Sequence, residues 1–193
     1  MTERPITLEE FEKRFQYDPD PWQTFSSVYE QKKRQYLGHA IGNRAYGRCL
    51  EVAAGNGSNS CLIAGKTLRL VATEGTPTGV RLMESLTGSL GNVSIQQQDL
   101  AKPMPHRRYD LIVVSEVLYY LTAPALRNFA RGIDRTLVPT GRLILAHHQE
   151  SFPDAVHSGH AIHDRFLNLT HSCWRVEFRK QTSRYVISRL HRS

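Results

Sequence analysis

The stretch Leu50-Glu51-Val52-Ala53-Ala54-Gly55-Asn56-Gly57-Ser58 decides how this chain is read. An apolar run meets a carboxylate and then turns through closely spaced small residues. The pattern predicts a strand that passes through a tight turn into a helix. Gly55 and Gly57 admit backbone conformations and close approaches that larger side chains forbid. The first N–H groups of the following helix lack partners within it. A ligand can therefore approach bare backbone here. A small-residue turn also serves as an ordinary strand–helix connection, so the flanking sequence has to carry the argument.

Outward from the turn, strands and helices alternate. Arg48–Val52 predicts the first strand, Ser58–Ala64 the helix after the turn, and Arg69–Thr73 the second strand. Thr76-Pro77 sets an N-cap before a proline at the first helical position, opening a helix through Ser85. Val93–Gln97 is the third strand and Tyr109–Ser115 the fourth. The unbroken Leu111, Ile112, Val113 and Val114 imply that this fourth strand is buried on both faces. Thr122 caps a helix to about Leu137, Pro139-Thr140-Gly141 reads as a turn, and Arg142–Ala146 is the fifth strand. Ala155–Leu169 contains a helix, and Trp174–Arg179 with Tyr185–Leu190 forms a terminal antiparallel pair, into which Trp174 packs. Such alternation predicts a mostly parallel sheet with helices on both faces. Ligands bind such sheets beyond the carboxyl ends of the strands.

Upstream, Thr7-Leu8-Glu9-Glu10 is a capping box with Ile6 and Phe11 at staple positions, and a helix should run to about Phe15. Asp18-Pro19-Asp20-Pro21 breaks it. Ser27-Val28-Tyr29-Glu30 reads as a second capping box, starting a helix toward Ala40. Both helices precede the first strand. The expectation is one domain, with residues 1–46 as a helical lid on a core at 47–193.

A chain of 193 residues suits a single domain. No apolar run approaches the ~18 residues that span a bilayer, and Met1-Thr2-Glu3-Arg4-Pro5 has no signal-peptide core. A cytosolic protein without a membrane partner is expected. Cys49, Cys61 and Cys173 are widely spaced among apolar neighbours, which suggests reduced, buried thiols. The net charge of +7 attracts anions. The basic residues are scattered, however, with Lys32-Lys33-Arg34 the one short run, so nucleic acid is not the expected partner.

Glu74 ends the second strand roughly 20 residues after the turn, where a carboxylate can accept both hydroxyls of a ribose. Asp99 ends the third-strand region and can accept from an adenine amino group. Glu51 either orients the turn or meets a cationic ligand group.

With these residues the chain resembles the class I S-adenosylmethionine-dependent methyltransferases from Arg48 onward. The resemblance implies a Rossmann-like α/β fold: a seven-stranded sheet, mostly parallel with a terminal antiparallel strand. It implies S-adenosylmethionine as cofactor, leaving as S-adenosylhomocysteine. Glu51, Ala53, Gly55 and Gly57 would hold the methionine part, Glu74 the ribose, and Asp99 the adenine. Gly75, Leu100 and Ser115 flank these positions and join the expected cofactor set. Tyr29 and Arg34 would reach the cofactor from the lid, while Lys33 is expected on a solvated basic face. Ala53 stands where the family has its first glycine. A closer resemblance is to the nodulation-factor N-methyltransferase (NodS-like) group. It rests on Asp20-Pro21-Trp22, Tyr29-Glu30, the run Asp110–Leu121, and Gly159-His160.

Methyl transfer is an in-line displacement in which acceptor and methyl must be aligned and an amine must be neutral when it attacks. Glu116 and Tyr119 are the expected catalytic residues after the fourth strand, with Glu116 holding or deprotonating the amine. Tyr120 and His148 are expected to contact the acceptor. His160 is a candidate base through the subgroup resemblance. His147, His157 and His163 are expected to be surface or structural histidines, and no metal is expected. Trp22 is expected to plug the core. The expected function is N-methylation of a small-molecule amine, such as a sugar amine. O-methylation of a metabolite, RNA methylation and a non-catalytic cofactor-binding subunit are the competing readings. A nicotinamide dehydrogenase is disfavoured because the turn lacks a full G-x-G-x-x-G and no second substrate domain follows. The Asn/Asp-Pro-Pro-aromatic signature for nucleobase amines is also absent.

Overall fold

The structure, a computed structural model, describes residues 6–104, 107–150 and 153–193. Met1–Pro5, read above for a targeting signal, lie outside the described residues. Two helices come first, α1 (Leu8–Tyr17) and α2 (Val28–Ile41). Then follow β1 (Tyr46–Val52), α3 (Ser60–Ala64), β2 (Thr67–Glu74), α4 (Pro77–Thr87) and β3 (Val93–Gln97). The second half holds β4 (Tyr109–Ser115), a 3-10 turn at Leu118–Tyr120, α5 (Ala123–Thr136), β5 (Leu137–His148), α6 (Ile162–Leu167), β6 (Trp174–Gln181) and β7 (Tyr185–Arg192).

The strands form one seven-stranded sheet in the order β3-β2-β1-β4-β5-β7-β6. β1 pairs in parallel with β2 and β4, and so do β2 with β3 and β4 with β5. β7 runs antiparallel to both β5 and β6. Chain order reverses between β1 and β4, and the carboxyl ends there open a crevice for ligand.

β4 shows why its apolar run is unbroken. Leu111 and Val113 enter the core shared with α2, α3 and α4, whereas Ile112 and Val114 enter the opposite core with α5 and α6. All four are fully buried. The helix starts obey their sequence signals. Thr7 and Glu10 cap each other's backbone N–H groups at 3.3 and 2.8 Å. Thr76 Oγ1 accepts from Gly79 N–H and Thr122 Oγ1 from Ala125 N–H. Trp174 packs on the second of these cores, and its Nε1–H donates to Thr170 Oγ1 at 2.7 Å.

Four local expectations are corrected. Ser27 begins α2 without a side-chain cap, and the Glu30 carboxylate that would complete the box turns to Lys33 instead. Pro139-Thr140-Gly141 does not delay β5, which starts at Leu137 and takes up the turn as an irregularity: Tyr109 pairs with Leu137, and Leu111 already with Arg142. Cys61 and Cys173 are exposed, and Cys49 alone of the three is buried. On the short α3 the inward positions are Ser60, Ile63 and Ala64, which leaves Cys61 facing out. Trp22 is 39 % exposed; it stacks edge-on against Phe15 near the cavity described next.

Candidate functional site

At the carboxyl ends of β1, β2 and β4 lies one cavity of about 940 Å³. Ala53, Gly55, Glu51, Glu74 and Gly75 line it from the β1 and β2 tips. Asp99 and Leu100 line it after β3, and Ser115, Glu116, Tyr119 and Tyr120 after β4. Tyr29 of α2 and His148 of β5 close the far side.

The turn is built under backbone tension. Ala53 has φ +51° and Gly55 +60°. The left-handed region costs a residue with a Cβ about 1–2 kcal/mol, so the position where the resembling family has glycine is one where glycine would sit more easily. Asn56 anchors the turn to the segment between α1 and α2. Its side-chain amide donates to Pro19 O, Asp20 Oδ1 and Thr24 Oγ1 at 3.0–3.2 Å. Asp20 in turn accepts from the Thr24 and Phe25 N–H groups. The Asp-Pro-Trp sequence thus positions a wall of the cavity.

Glu74 is buried at the β2 tip. Its Oε2 accepts from Gly55 N–H at 3.0 Å and its Oε1 from the N–H and hydroxyl of Thr76. Asp99 Oδ1 accepts from Ala101 N–H at 2.8 Å. These two carboxylates and the glycine turn face one space, with acceptors and bare backbone of the kind that suit a nucleoside carrying a charged tail.

Across the cavity stands a charge cluster. Lys33 Nζ lies 2.7 Å from Glu30 Oε2 and 2.8 Å from Glu116 Oε1. His148 Nε2 is 3.3 Å from Lys33 Nζ and 3.4 Å from Glu30 Oε1, and its Nδ1 is 3.2 Å from the Tyr29 hydroxyl. Glu116 has φ +57°, and its Oε2 accepts from the Tyr119 hydroxyl at 2.6 Å and from His148 N–H at 3.0 Å. Burial would raise the Glu116 carboxyl, but the Lys33 ammonium, with His148 and His147, holds it down to about 2. Burial likewise opposes the Lys33 charge, yet Glu116 and Glu30 outweigh it and push its pKa up. Burial raises the Tyr119 hydroxyl well above its ordinary value, and the Glu116 charge adds to this, so it stays a donor. Among the described residues lining the cavity, seven carboxylates face three cations. The wall is acidic although the chain carries +7.

A family model described as Nodulation protein S (NodS) is matched by residues 9–183. The chain belongs to the NodS family. Nodulation protein S of Bradyrhizobium diazoefficiens is 30% identical over 127 residues, covering 62% of this chain and 61% of that protein. Its counterpart in Azorhizobium caulinodans is 30% identical over 129 residues, covering 65% and 61%. The matched stretch thus spans about three fifths of the length of these curated relatives. The crystal structure of N-methyltransferase NodS from Bradyrhizobium japonicum WM9 in complex with S-adenosyl-l-homocysteine superposes with a TM-score of 0.80 at 19% identity. The match covers 96% of this chain and 97% of that one. At that identity the likeness establishes a common fold.

Three of the positions singled out from the sequence fall outside the cavity of this NodS-family chain. Arg34 donates to Thr24 O and to Asn59 Oδ1, tying α2 to the turn. Lys33 lines the cavity in its place, because positions 29 and 33 share a helix face and position 34 is rotated some 100° away. That spacing was readable; the solvated face expected for Lys33 is overturned by its 7 % exposure. Gly57, at φ +82°, packs against α4, where a Cβ would come within 3.3 Å of Met83 Cα. Its smallness serves helix packing. His160 is exposed and off the lining. In Gly159-His160 it is the glycine that matters to the site, since its α-carbon abuts the His148 carbonyl with no room for a Cβ.

Glu51, 2 % exposed, lines the cavity and accepts from the Ser60 hydroxyl at 2.6 Å. Burial lifts its pKa to about 7, against the pull of that hydrogen bond. Between its ordinary value of 4.5 and about 7 the unfolded chain is ionised and the folded chain is not, so stability falls as pH rises through that window. We expect Glu51→Gln to stabilise the ligand-free protein at pH 8 by a few kcal/mol, since each tenfold change in proton affinity is worth about 1.4 kcal/mol. At pH 4 the substitution should change little. Thermal melts at both pH values measure this; an equal effect at both would refute it.

Proposed function

We propose that this chain is an S-adenosylmethionine-dependent methyltransferase that methylates an amine on a small molecule. One observation carries the reading: a single cavity joins Gly55, Glu74 and Asp99, at three successive strand ends, to the cluster of Glu30, Lys33, Glu116 and His148. Its volume, about 940 Å³, is that of a small-molecule site. Membership of the NodS family supports it, as does the likeness to a protein described as an N-methyltransferase with S-adenosylhomocysteine bound.

When bound, S-adenosylmethionine supplies the electrophilic methyl group. The buried Glu74 carboxylate would hold the ribose, and Asp99 the adenine. The backbone from Ala53 to Gly55, with Glu51 beside it, would hold the amino-acid end. α1 and α2 act as a lid, and their apolar faces exclude water. The acidic wall attracts a cationic acceptor. Glu116, ionised down to about pH 2, is too weak a base to deprotonate it. It holds the amine, while Tyr119 orients Glu116 through its hydroxyl. His148, between Glu30 and Tyr29, is the group placed to take the proton that the amine sheds. His160 has no part in this chemistry, and Tyr120 forms acceptor wall. An acidic cavity repels phosphates, so nucleic acid is not the substrate. The free thiols accord with a reducing, cytosolic setting. Among the described residues no helix is long and apolar enough to cross a membrane.

Calorimetric titration with S-adenosylmethionine, S-adenosylhomocysteine and NADH tests the proposal. Micromolar binding of the first two and none of NADH is expected, followed by transfer of labelled methyl to amine-bearing sugars or metabolites. Absence of binding by both adenosyl compounds would overturn it.

A further inference from the structure

A buried network lies behind the cavity. The segment from Glu116 to Tyr120 leaves β4 through the left-handed φ of Glu116 and carries the acceptor-side groups. A non-glycine residue in that region holds only if its surroundings over-determine it. The Leu118 N–H, at the start of a helical turn, needs an acceptor outside that turn. It donates to His147 Nε2 at 3.3 Å. Since an amide N–H only donates, Nε2 presents its lone pair and the neutral ring carries its proton on Nδ1. His147 Nδ1 lies 3.1 Å from His163 Nε2, which must then accept. His163 consequently keeps its own proton on Nδ1, 3.5 Å from Ser188 Oγ. All three side chains are at most 4 % exposed. Burial lowers both histidine pKa values, that of His147 to about 4, so both rings are neutral near pH 7. The same region fixes the turn a second time, because Tyr119 O accepts from Val156 and His157 N–H in the loop before α6.

We propose that the His147–His163 pair is a positioning device for the acceptor end of the site, setting where Glu116 and Tyr119 stand although neither imidazole lines the cavity. The hydrogen bonds run in one direction, from Leu118 through β5 and α6 to β7. Reversing any one of them sets two N–H groups face to face or leaves one unsatisfied. The device rests on the methyltransferase reading only for its effect on turnover; its structural half stands apart from that reading.

The test has two arms on the full chain. Nitrogen-15 spectra of labelled histidine are expected to show both rings as neutral Nδ1–H tautomers near pH 7, and hydrogen exchange to show a protected Leu118 amide. His147→Phe should speed exchange at Leu118 and cut kcat about 10–100-fold, since small misplacements of reacting groups cost that much. S-adenosylhomocysteine affinity should stay within about twofold, because cofactor groups are untouched. His147→Gln restores an acceptor and is expected to recover both protection and most of kcat. Should His147→Phe fail to fold, His163→Phe removes the acceptor for His147 Nδ1–H, interrupts the relay one step further away and is expected to lower kcat in the same direction. An Nε2–H tautomer at His147, or wild-type kcat in a folded His147→Phe variant, would overturn the device. So would equal loss in His147→Gln and His147→Phe, which would mark simple packing. If the wild-type chain transfers no methyl group, the enzyme reading falls, while tautomer and exchange still decide the positioning.

Discussion

Replacing Glu116 with glutamine is expected to lower methyl transfer by about 100-fold or more, within the range that a positioned charged group contributes. S-adenosylhomocysteine affinity should stay within about threefold. Glutamine keeps the shape and one accepting oxygen, so the bonds from Tyr119 and His148 N–H can survive in part. What it removes is the negative charge 2.8 Å from Lys33. The acceptor cation then meets an ammonium with one countercharge fewer. Removing one partner of a fully buried pair costs about 3–5 kcal/mol. Glu30 still faces Lys33 and the Glu116 side chain keeps 25 % of its exposure, so about 1–2 kcal/mol of lost stability is the expectation here. The sign of its pH dependence follows from a depressed folded pKa. The Glu116 contribution is present above about 4.5 and disappears as pH falls toward 2, so wild type and variant should converge in acid. Equal turnover at pH 7 would reject the role.

Glu74→Ala should weaken cofactor binding by about 1–3 kcal/mol, or roughly 5–150-fold. The carboxylate at the β2 tip is already the acceptor for Gly55 N–H, Thr76 N–H and the Thr76 hydroxyl. On the proposed reading the alanine variant would lose the ribose partner, and it also frees the turn by removing the acceptor for Gly55 N–H. Titration calorimetry with S-adenosylhomocysteine gives the affinity, and a melt confirms folding. Unchanged affinity in a folded variant would exclude Glu74 from the nucleoside site.

Most of the sheet was legible because its signals are local and strong. An unbroken apolar run such as Leu111–Val114 has one comfortable home, a central strand with a core on each face. Thr7, Thr76 and Thr122 announced their helices because a cap needs only residues three positions apart. Ser27-x-x-Glu30 has the same spelling, yet its glutamate found better partners in Lys33 and His148, the latter from a strand over a hundred residues away. Long-range competition of that kind leaves no mark in a short motif. That the turn, Glu74 and Asp99 would meet at one cavity was readable from strand ends alone. The Lys33 cluster was not, since a lysine beside another lysine and an arginine resembles any solvated face. Its burial depends on how α2 settles on β5 and β7, which pattern does not encode. His160 failed for a related reason: the restriction belongs to the backbone of its neighbour Gly159.

The opposed signs of the cavity and of the chain as a whole bear on how ligands arrive. Seen from beyond a Debye length, about 8–10 Å in ordinary salt, this molecule is a cation and pushes an approaching ammonium away. Within the mouth the sign reverses, and six carboxylates besides Glu51, which titrates at about 7, outnumber three cations and draw the same ammonium in. Added salt screens the distant repulsion before it weakens the contact inside. With the acceptor proposed above, encounter is therefore expected to quicken with moderate ionic strength, the inverse of ordinary electrostatic steering. Polyanions are gathered on the outside and turned away at the door.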